Sequence, residues 1–261
     1  MKKKIRKVLV VILSLVFLGS LMMLLLQWKD YRAGEELYAQ AEQAAKQPSA
    51  EAKPAPQKPE EPQPQKNPHE AEVVLQEISV AALQETSSAV VGWIHIPDTM
   101  LSYPLVQGED NSYYLDHAWN GQVTSVGSIF MDCRCASDFT DFNTIIYGHR
   151  MRNGSMFASL KYYKKLTYWE EHPIVYIKDG ELLRRYEIFA AYETPVKACT
   201  YETGVTDEAS RQAVIDFAVE HSDIDTGIVP EVTDRIVTLS TCTGDGYDTR
   251  WVVQAVERPA S

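Results

Sequence analysis

The sequence predicts a mainly β protein whose globular part closes into a barrel of eight strands. Short runs of β-branched and aromatic residues recur after Gly92, and turn residues separate them, which is the spacing of an all-β domain. About 190 residues have globular composition, which suffices for one domain with a substantial core. Two amphipathic patterns add a helix before the first strand and another before the penultimate strand.

A single transmembrane helix is predicted ahead of this domain. Residues 1–7 carry five Lys and Arg side chains, and residues 8–26 form a 19-residue run without charge. A helix needs roughly 20 such residues to cross the hydrocarbon core, whereas the apolar core of a signal peptide is usually ~7 to 15 residues long. We therefore expect an uncleaved anchor in the cell membrane, with residues 1–7 in the cytoplasm and the rest of the chain outside.

Residues 27–69 are predicted to form an extracellular stalk. Residues 33–47 are rich in Ala and Glu, which favours a helix, and residues 48–68 contain seven prolines and almost no apolar side chain. A segment of the latter composition forms an extended spacer of polyproline II character. We expect it to hold one globular domain, residues 70–261, away from the membrane face.

The elements of the globular domain follow in order along the chain. A helical pattern covers residues 70–86, and strand-like runs follow it at residues 93–98, 100–106, 127–131, 143–147, 174–178, 182–192, 235–241 and 250–257. The second helix is predicted over residues 207–221, with apolar side chains on one face and Thr206 as its N-cap.

Charge and cysteine content argue against some classes of function. Five of the 25 basic side chains lie in residues 1–7, so residues 27–261 carry 20 basic and 36 acidic groups, a net charge of −16. Nucleic acid is therefore not expected as a partner, because polyphosphate binding depends on Lys and Arg. The four cysteines form no CxxC pair. Cys133 and Cys135 could share a metal with His149, but a fourth ligand is not evident, and we expect no metal and no cofactor.

Cys242 is the first candidate for a reactive side chain. It follows the β-branched run at residues 236–239 and precedes a Gly-rich loop, so it lies at a strand end. Arg250 opens the next run, and a seven-residue loop between antiparallel strands returns its guanidinium to the neighbourhood of the sulfur. A cation there favours the nucleophilic thiolate of a Cys, whose free pKa is about 8.5. The competing interpretation is a buried structural Cys.

His149 is the second candidate, and its position is similar to that of Cys242. It follows the strand-like run at residues 143–147 and precedes a polar loop. A His at a strand end is more often a surface residue, so the interpretation depends on three side chains together. Histidine exchanges protons near neutral pH, the thiol is a nucleophile, and Arg250 can hydrogen-bond the oxyanion that forms when a thiolate attacks a carbonyl.

These residues resemble the signature of the sortase family, and of class B in particular. The matching motifs are Tyr147-Gly148-His149, Gly154-Ser155-Met156-Phe157, Thr238-Leu239-Ser240-Thr241-Cys242 and Arg250 eight positions after the Cys. The resemblance covers residues 90–257 and includes both predicted helices of the domain. It implies the sortase-type eight-stranded β-barrel and, as the activity, transpeptidation at a C-terminal sorting motif of secreted proteins through a thioacyl-enzyme.

The resemblance also implies roles for individual residues. Cys242 attacks the peptide carbonyl, His149 protonates the leaving amine and later deprotonates the incoming one, and Arg250 positions the substrate or stabilises the oxyanion. Three further positions match residues that line the sorting-signal groove: Asn111, Leu115 and Ser240. Thr243 departs from the Glu of some members, so the groove chemistry beside the sulfur is expected to differ from theirs. The implied acceptor is an amine of a peptidoglycan precursor or, in a class B pilin polymerase, a pilin lysine.

Other classes of protein stay open as alternatives. A papain-like or NlpC-like cysteine peptidase would carry its Cys before its His and on a helix N-terminus, and here the order is reversed. An L,D-transpeptidase would carry a His just ahead of the Cys, where this chain has Ser240-Thr241. A membrane-tethered binding domain with an incidental Cys and His is the alternative without catalysis.

Overall fold

Within the part of the chain that the structure describes, eight strands form a closed barrel, which confirms the predicted fold class. The computed structural model describes residues 2–46, 68–180, 182–244 and 248–259. The strands are β1 (Val90–His95), β2 (Ser102–Gln107), β3 (Ile129–Met131), β4 (Asn143–Tyr147), β5 (Ile174–Asp179), β6 (Leu182–Pro195), β7 (Ile236–Cys242) and β8 (Thr249–Arg258). Around the barrel they follow the order β1-β2-β3-β4-β7-β8-β6-β5, and β5 pairs with β1 to close the ring.

The pairing of β4, β7 and β8 brings distant parts of the sequence side by side. β4 and β7 run parallel, with Tyr147 opposite Ser240. β7 and β8 run antiparallel, with Cys242 opposite Arg250. Because parallel neighbours end at the same edge of a sheet, the chain that leaves β4 and the last residue of β7 meet at one end of the barrel.

The described residues also form α-helices, and the first helical segment of the globular domain differs from the prediction. The helices are α1 (Lys2–Ala45), α2 (Pro68–Gln76), α3 (Val80–Gln84), α4 (Leu166–Glu171) and α5 (Glu208–His221). The single helix predicted over residues 70–86 is wrong, since α2 and α3 are separate. Ser79 has an extended backbone, and its hydroxyl accepts a hydrogen bond from the N–H of Ala82 at 3.2 Å, so it caps a new helix.

The helix before the penultimate strand is present, but it begins one residue later than predicted. The N-cap of α5 is Asp207, whose carboxylate accepts a hydrogen bond from the N–H of Ser210 at 2.9 Å. The prediction of Thr206 as N-cap is wrong because the carboxylate one position later satisfies a free N–H of the first turn. α5 packs against β6 and covers a small apolar cluster outside the barrel.

Large apolar side chains fill the interior of the barrel. Ile94 on β1 and Ile177 on β5 are 0% exposed, and Trp251 on β8 is 1% exposed. They belong to one continuous core cluster. Inward and outward residues alternate along a barrel strand, so this core fixes which side chains of each strand face the interior.

The helix α1 is long enough and apolar enough to cross a membrane in its first part. Its last turns lie against the barrel, where Gly34, Tyr38, Ala41 and Ala45 are buried. These residues recur at spacings of three and four, which places them on one face of the helix. Of the segment predicted as a stalk, the structure describes the helical part up to residue 46. The Pro-rich spacer predicted over 48–68 lies outside the described residues as far as residue 67, and Pro68 begins α2.

Candidate active site

Cys242 is the last residue of β7 and lies at one end of the barrel. The residues before it are packed into the barrel wall, and Thr238, Leu239 and Ser240 are at most 1% exposed, whereas Cys242 is partly exposed. The backbone at Cys242 is therefore fixed while its sulfur is open to a reactant, as a nucleophile requires. The predicted strand-end position is confirmed.

His149 lies level with Cys242 beside the neighbouring strand. The parallel register of β4 and β7 pairs Tyr147 with Ser240. Continuing the same register by two residues places His149 opposite Cys242. The two residues are 93 positions apart in the sequence, the same separation as every pair in this register.

Hydrogen bonds maintain this register beyond the end of β4. The N–H of Gly148 donates to the carbonyl oxygen of Ser240 at 3.2 Å, and the hydroxyl of Thr241 donates to the carbonyl oxygen of Gly148 at 2.7 Å. On its other side, the ring of His149 has Nε2 at 2.6 Å from the carbonyl oxygen of Leu115. A carbonyl acceptor at this distance favours a ring whose Nε2 carries a proton.

Arg250 lies on the opposite side of Cys242 from His149. It is the direct antiparallel partner of Cys242 across β7 and β8, and its Nη1 donates a hydrogen bond to the carbonyl oxygen of Thr249 at 2.8 Å. The chain just beyond β4, the end of β7 and the start of β8 thus carry a His, a Cys and an Arg at the same level of the barrel. Sequence reasoning expected the Arg near the sulfur, and the strand pairing places the two residues directly opposite each other.

One cleft at this end of the barrel brings the six candidate residues together. The candidates in its lining are Asn111, Leu115, His149, Ser240, Cys242 and Arg250. Further lining comes from residues that sequence reasoning did not select: Phe130, Tyr147, Gly148 and Thr241. Phe130, Tyr147 and Thr241 belong to β3, β4 and β7, and Gly148 directly follows β4. The strand pattern predicts a buried wall but does not indicate which side chains border an opening.

Asn111 is held in place by the chain that follows β3. Its Oδ1 accepts a hydrogen bond from the N–H of Cys133 at 2.8 Å, and its side chain also bonds the buried carboxylate of Asp132. Asp132 further accepts hydrogen bonds from Arg134 at 2.7 Å and from the hydroxyl of Tyr147 at 2.9 Å. Burial alone would raise the pKa of Asp132, but these donors outweigh it and lower the pKa to about 2.

Ser240 is tied to an aromatic side chain that sequence reasoning missed. Its hydroxyl lies 2.9 Å from the hydroxyl of Tyr201, which belongs to a short 3₁₀ turn in the connection between β6 and α5. Burial raises the pKa of Tyr201 to about 12, so the phenol is neutral at physiological pH. A second cleft adjoins the first and shares Tyr147 and Arg250 with it, and Tyr201 lines that second cleft.

Arg150 is another residue that sequence reasoning did not select. Its Nη1 donates a hydrogen bond to the carbonyl oxygen of Thr243, the residue directly after Cys242. A β carbon placed on Gly244 would lie 2.9 Å from Nη2 of Arg150, so the guanidinium packs closely on the loop after β7. The signal available in the sequence was only its position next to the candidate His.

Two of the remaining cysteines, Cys135 and Cys199, have raised pKa values. Burial raises the pKa of Cys135 to about 11, and burial also raises the pKa of Cys199. A raised pKa leaves less thiolate at neutral pH and makes a poorer nucleophile. Among the described residues, no three His, Cys, Asp or Glu side chains are grouped so that they could hold a metal ion.

Comparisons with known proteins agree with this geometry. A family model described as "Sortase domain" matches residues 94–258. The chain is 38% identical over 160 residues to "Sortase B" of Listeria monocytogenes and 34% identical over 161 residues to "Sortase B" of Staphylococcus aureus. These matches cover 61% and 62% of this chain and 65% and 66% of the relatives, so the chain spans just under two thirds of their length.

A similar structure has also been solved, and it is described as a "Staphylococcus aureus sortase B-substrate complex". It superposes on this chain with a TM-score of 0.66 and 32% sequence identity. The superposition covers 70% of this chain and 85% of that one.

Proposed function

This chain belongs to the sortase family, and we propose that it is a membrane-anchored cysteine transpeptidase of class B. In this proposal it cleaves a C-terminal sorting motif of secreted proteins and transfers them to an amine of the cell wall. The observation that carries the proposal is the placement of His149, Cys242 and Arg250 at one level of β4, β7 and β8.

Cys242 forms the covalent bond of the first half-reaction. Its thiolate adds to the carbonyl carbon of the scissile peptide bond, and Arg250 donates hydrogen bonds to the oxygen that takes up the negative charge. When the tetrahedral adduct collapses, the C–N bond breaks and the acyl group stays on Sγ as a thioester. The leaving amine takes its proton from His149.

The second half-reaction uses the same groups in the reverse direction. His149 accepts a proton from the incoming amine while the amine nitrogen attacks the thioester carbonyl. The C–S bond then breaks and the thiolate of Cys242 returns. We assign the incoming amine to a peptidoglycan precursor, and a pilin lysine would form the same type of bond.

The sorting motif occupies the cleft beside Cys242 in this proposal. Asn111, Leu115 and Ser240 line that cleft together with the three reactive side chains. Similarity to a sortase B that has been solved as a substrate complex supports this assignment. Thr243 occupies the position where some members have Glu, and a Thr side chain offers no carboxylate to the motif. Thr243 is 7% exposed, and its carbonyl oxygen accepts the hydrogen bond from Arg150.

The apolar part of α1 serves as the anchor. Residues 8–26 carry no charge, and the basic segment 1–7 precedes them, so the positive-inside rule places the barrel outside the cell. A sortase acts on secreted proteins, and this orientation puts the cleft on the side where they emerge.

A mass-spectrometric screen of sorting-motif peptides tests the proposal. The full chain is incubated with a peptide library, with and without an added amine-bearing peptide. We expect cleavage at one peptide bond and, when the amine is present, a ligated product. A chain that bound these peptides without cleaving any of them would instead support the non-catalytic binding domain.

A further inference from the structure

The part of α1 that follows the apolar run contacts two loops on either side of His149. We call them the flanking loops: residues 123–128, which precede β3, and residues 149–156, which follow β4. The contacts come from residues 30–38 of the helix, on the face that is buried against the barrel. The proposed chemistry gives this part of the helix no role, so these contacts need their own explanation.

Two hydrogen bonds connect α1 to the first flanking loop. The hydroxyl of Tyr38 donates to the carbonyl oxygen of Gly127, and the hydroxyl of Ser125 donates to the carboxylate of Asp30. Tyr38 is 8% exposed, and burial raises the pKa of its phenol, so the hydroxyl keeps its proton and stays a donor. The loop is therefore held at two points that lie eight residues apart on the helix.

Close packing adds a third contact between α1 and the same loop. Gly34 faces Val126, and a β carbon placed on Gly34 would lie 2.5 Å from Cγ2 of Val126. Carbon atoms do not approach so closely, so any larger residue at position 34 would displace the helix or the loop. Val126 is 3% exposed and has little room to move away.

The first flanking loop touches the ring of His149 directly. Gly127 has a positive φ of 61°, and a β carbon there would lie 3.0 Å from Cδ2 of His149 and 2.6 Å from the carbonyl oxygen of Leu115. That same carbonyl oxygen is the hydrogen-bond partner of Nε2 of His149. A shift of Gly127 would therefore disturb both the packing and the hydrogen bond of the ring.

The second flanking loop is connected to α1 through Tyr103 on β2. The rings of Tyr38 and Tyr103 meet edge to face with centroids 5.2 Å apart, and the hydroxyl of Tyr103 accepts a hydrogen bond from the N–H of Met156 at 3.1 Å. The amide of Asn153 donates directly to the carboxylate of Glu35 at 3.3 Å. Both loops beside His149 thus depend on one face of α1.

We propose that residues 30–38 of α1 are a positioning element of the active site, which fixes the ring of His149 by holding both flanking loops. The catalytic readout of this inference rests on the proposed transpeptidase function. Proton transfer requires His149 within hydrogen-bond reach of the reacting amine. A misplacement of about 1 Å can cost up to ~100-fold in rate even when its cause is remote from the chemistry.

The test is Gly34→Ala in the full chain, reconstituted in lipid nanodiscs. Ala is a better helix former than Gly, so the helix itself is not weakened. We expect the added methyl group to displace the first flanking loop and to lower kcat about tenfold, with a smaller change in KM because the substituted residue itself lies outside the cleft that holds the substrate. Val126→Ala removes the methyl group that clashes, so the double variant should recover to within about threefold of wild type.

A matched control lies in the same helix. Gly19→Ala makes the same change where nothing lies within 4 Å, and it should leave kcat unaltered. Hydrogen exchange gives a readout that does not require catalysis. We expect Gly34→Ala to accelerate exchange in peptides that cover residues 123–128 and 149–157, whereas Gly19→Ala and the double variant should match wild type.

Two results would overturn the inference. One is a Gly34→Ala variant with unchanged kcat and unchanged exchange in the flanking loops. The other is a loss of kcat that Val126→Ala does not rescue while the loops exchange as in wild type. If wild type itself cleaved no sorting peptide, the proposed function would fail, and the exchange data would still decide whether α1 holds the loops.

Discussion

At Cys242 the sulfur lies between a His beside one neighbouring strand and an Arg on the other. Both neighbours are set by strand pairing, with Cys242 opposite Arg250 and the β4 register continued to His149. Strand pairing is maintained by the whole barrel, so these backbone positions are among the most constrained in the chain. Substitutions at this level should therefore change the chemistry without changing the fold.

Cys242→Ala is the simplest of these substitutions. We expect peptide cleavage to fall by at least about 1000-fold, because the sulfur is the group proposed to bond the substrate. The side chain is only partly buried, so the thermal midpoint should stay within a few degrees of wild type. Cleavage assays and thermal melts measure the two quantities. Activity above about a tenth of wild type would remove Cys242 from the nucleophile role.

Arg250 allows charge and geometry to be separated. Arg250→Lys retains the positive charge but loses the planar fork that can donate two parallel hydrogen bonds to one acceptor. If the guanidinium binds the oxyanion, both Arg250→Lys and Arg250→Ala should lose about 100- to 1000-fold in kcat. The measurement is kcat on one sorting peptide, with the pH dependence of Cys242 alkylation as a control. Near-normal kcat for the Lys variant beside an inactive Ala variant would mean that the charge alone suffices.

At the scale of elements, the carboxylate of Asp132 joins separate parts of the groove wall. It accepts hydrogen bonds from Tyr147 on β4 and from Arg134, and it also bonds the side chain of Asn111. These parts come from β4 and from the chain on both sides of β3. The groove therefore depends on one buried charge as well as on strand pairing.

The pKa of Asp132 leads to a prediction about pH. Its folded pKa of about 2 is below the ordinary value of 3.8, so the ionised group stabilises the fold above about pH 4, and this contribution disappears as pH falls towards 2. Asp132→Asn removes the contribution at every pH. Thermal melts of both proteins from pH 2 to pH 7 should show a difference that is constant above pH 4 to 5 and falls to a small remainder near pH 2. A difference that persists undiminished at pH 2 would contradict the assigned role.

Strand runs were the features that the sequence predicted best. β4, β7 and β8 are β-branched runs between turn residues, and their bounds agree with the prediction to within one residue. The helices were less well predicted, because capping depends on single side chains. The apolar pattern continues through Ser79, so the sequence does not show that one helix ends and another begins there. Thr206 and Asp207 are both suitable N-cap residues for α5, and only the hydrogen bond in the structure shows that Asp207 is the cap.

The sequence predicted the site residues that lie within recognisable motifs, but not those that only the fold brings to the site. Cys242 and His149 stand at strand ends, which is visible in the sequence. Tyr201 is brought to Ser240 by the long connection after β6, and neither its residue type nor its spacing indicates this contact. Arg150 contacts the residue after Cys242 because β4 and β7 are parallel neighbours, a pairing that strand patterns alone do not specify.

For the whole molecule, the main difference from the prediction is where the chain beyond the apolar run goes. The sequence predicts a stalk, but the described part of that stretch packs Tyr38, Ala41 and Ala45 into the main core cluster. Small residues such as Gly34 and Ala41 give no hydrophobic pattern, so the buried face of α1 is hard to recognise from the sequence. At 1.5 Å per residue, Tyr38 lies about 18 Å along the helix from the end of the apolar run at Leu26. The same helix would therefore serve as anchor and as support for the active site.

If Cys242 carries the acyl group between donor and acceptor, the acyl-enzyme should accumulate and can be trapped when no acceptor is present. The full chain is mixed with a cleavable sorting peptide without an amine acceptor, quenched in acid, digested and analysed by mass spectrometry. We predict an added mass equal to the N-terminal fragment of the peptide on the segment that contains Cys242, removable by hydroxylamine. The adduct should be absent in Cys242→Ala and absent from Cys133, Cys135 and Cys199. Cleavage of the peptide without an acylated Cys242, or with the acyl group on another cysteine, would contradict the account.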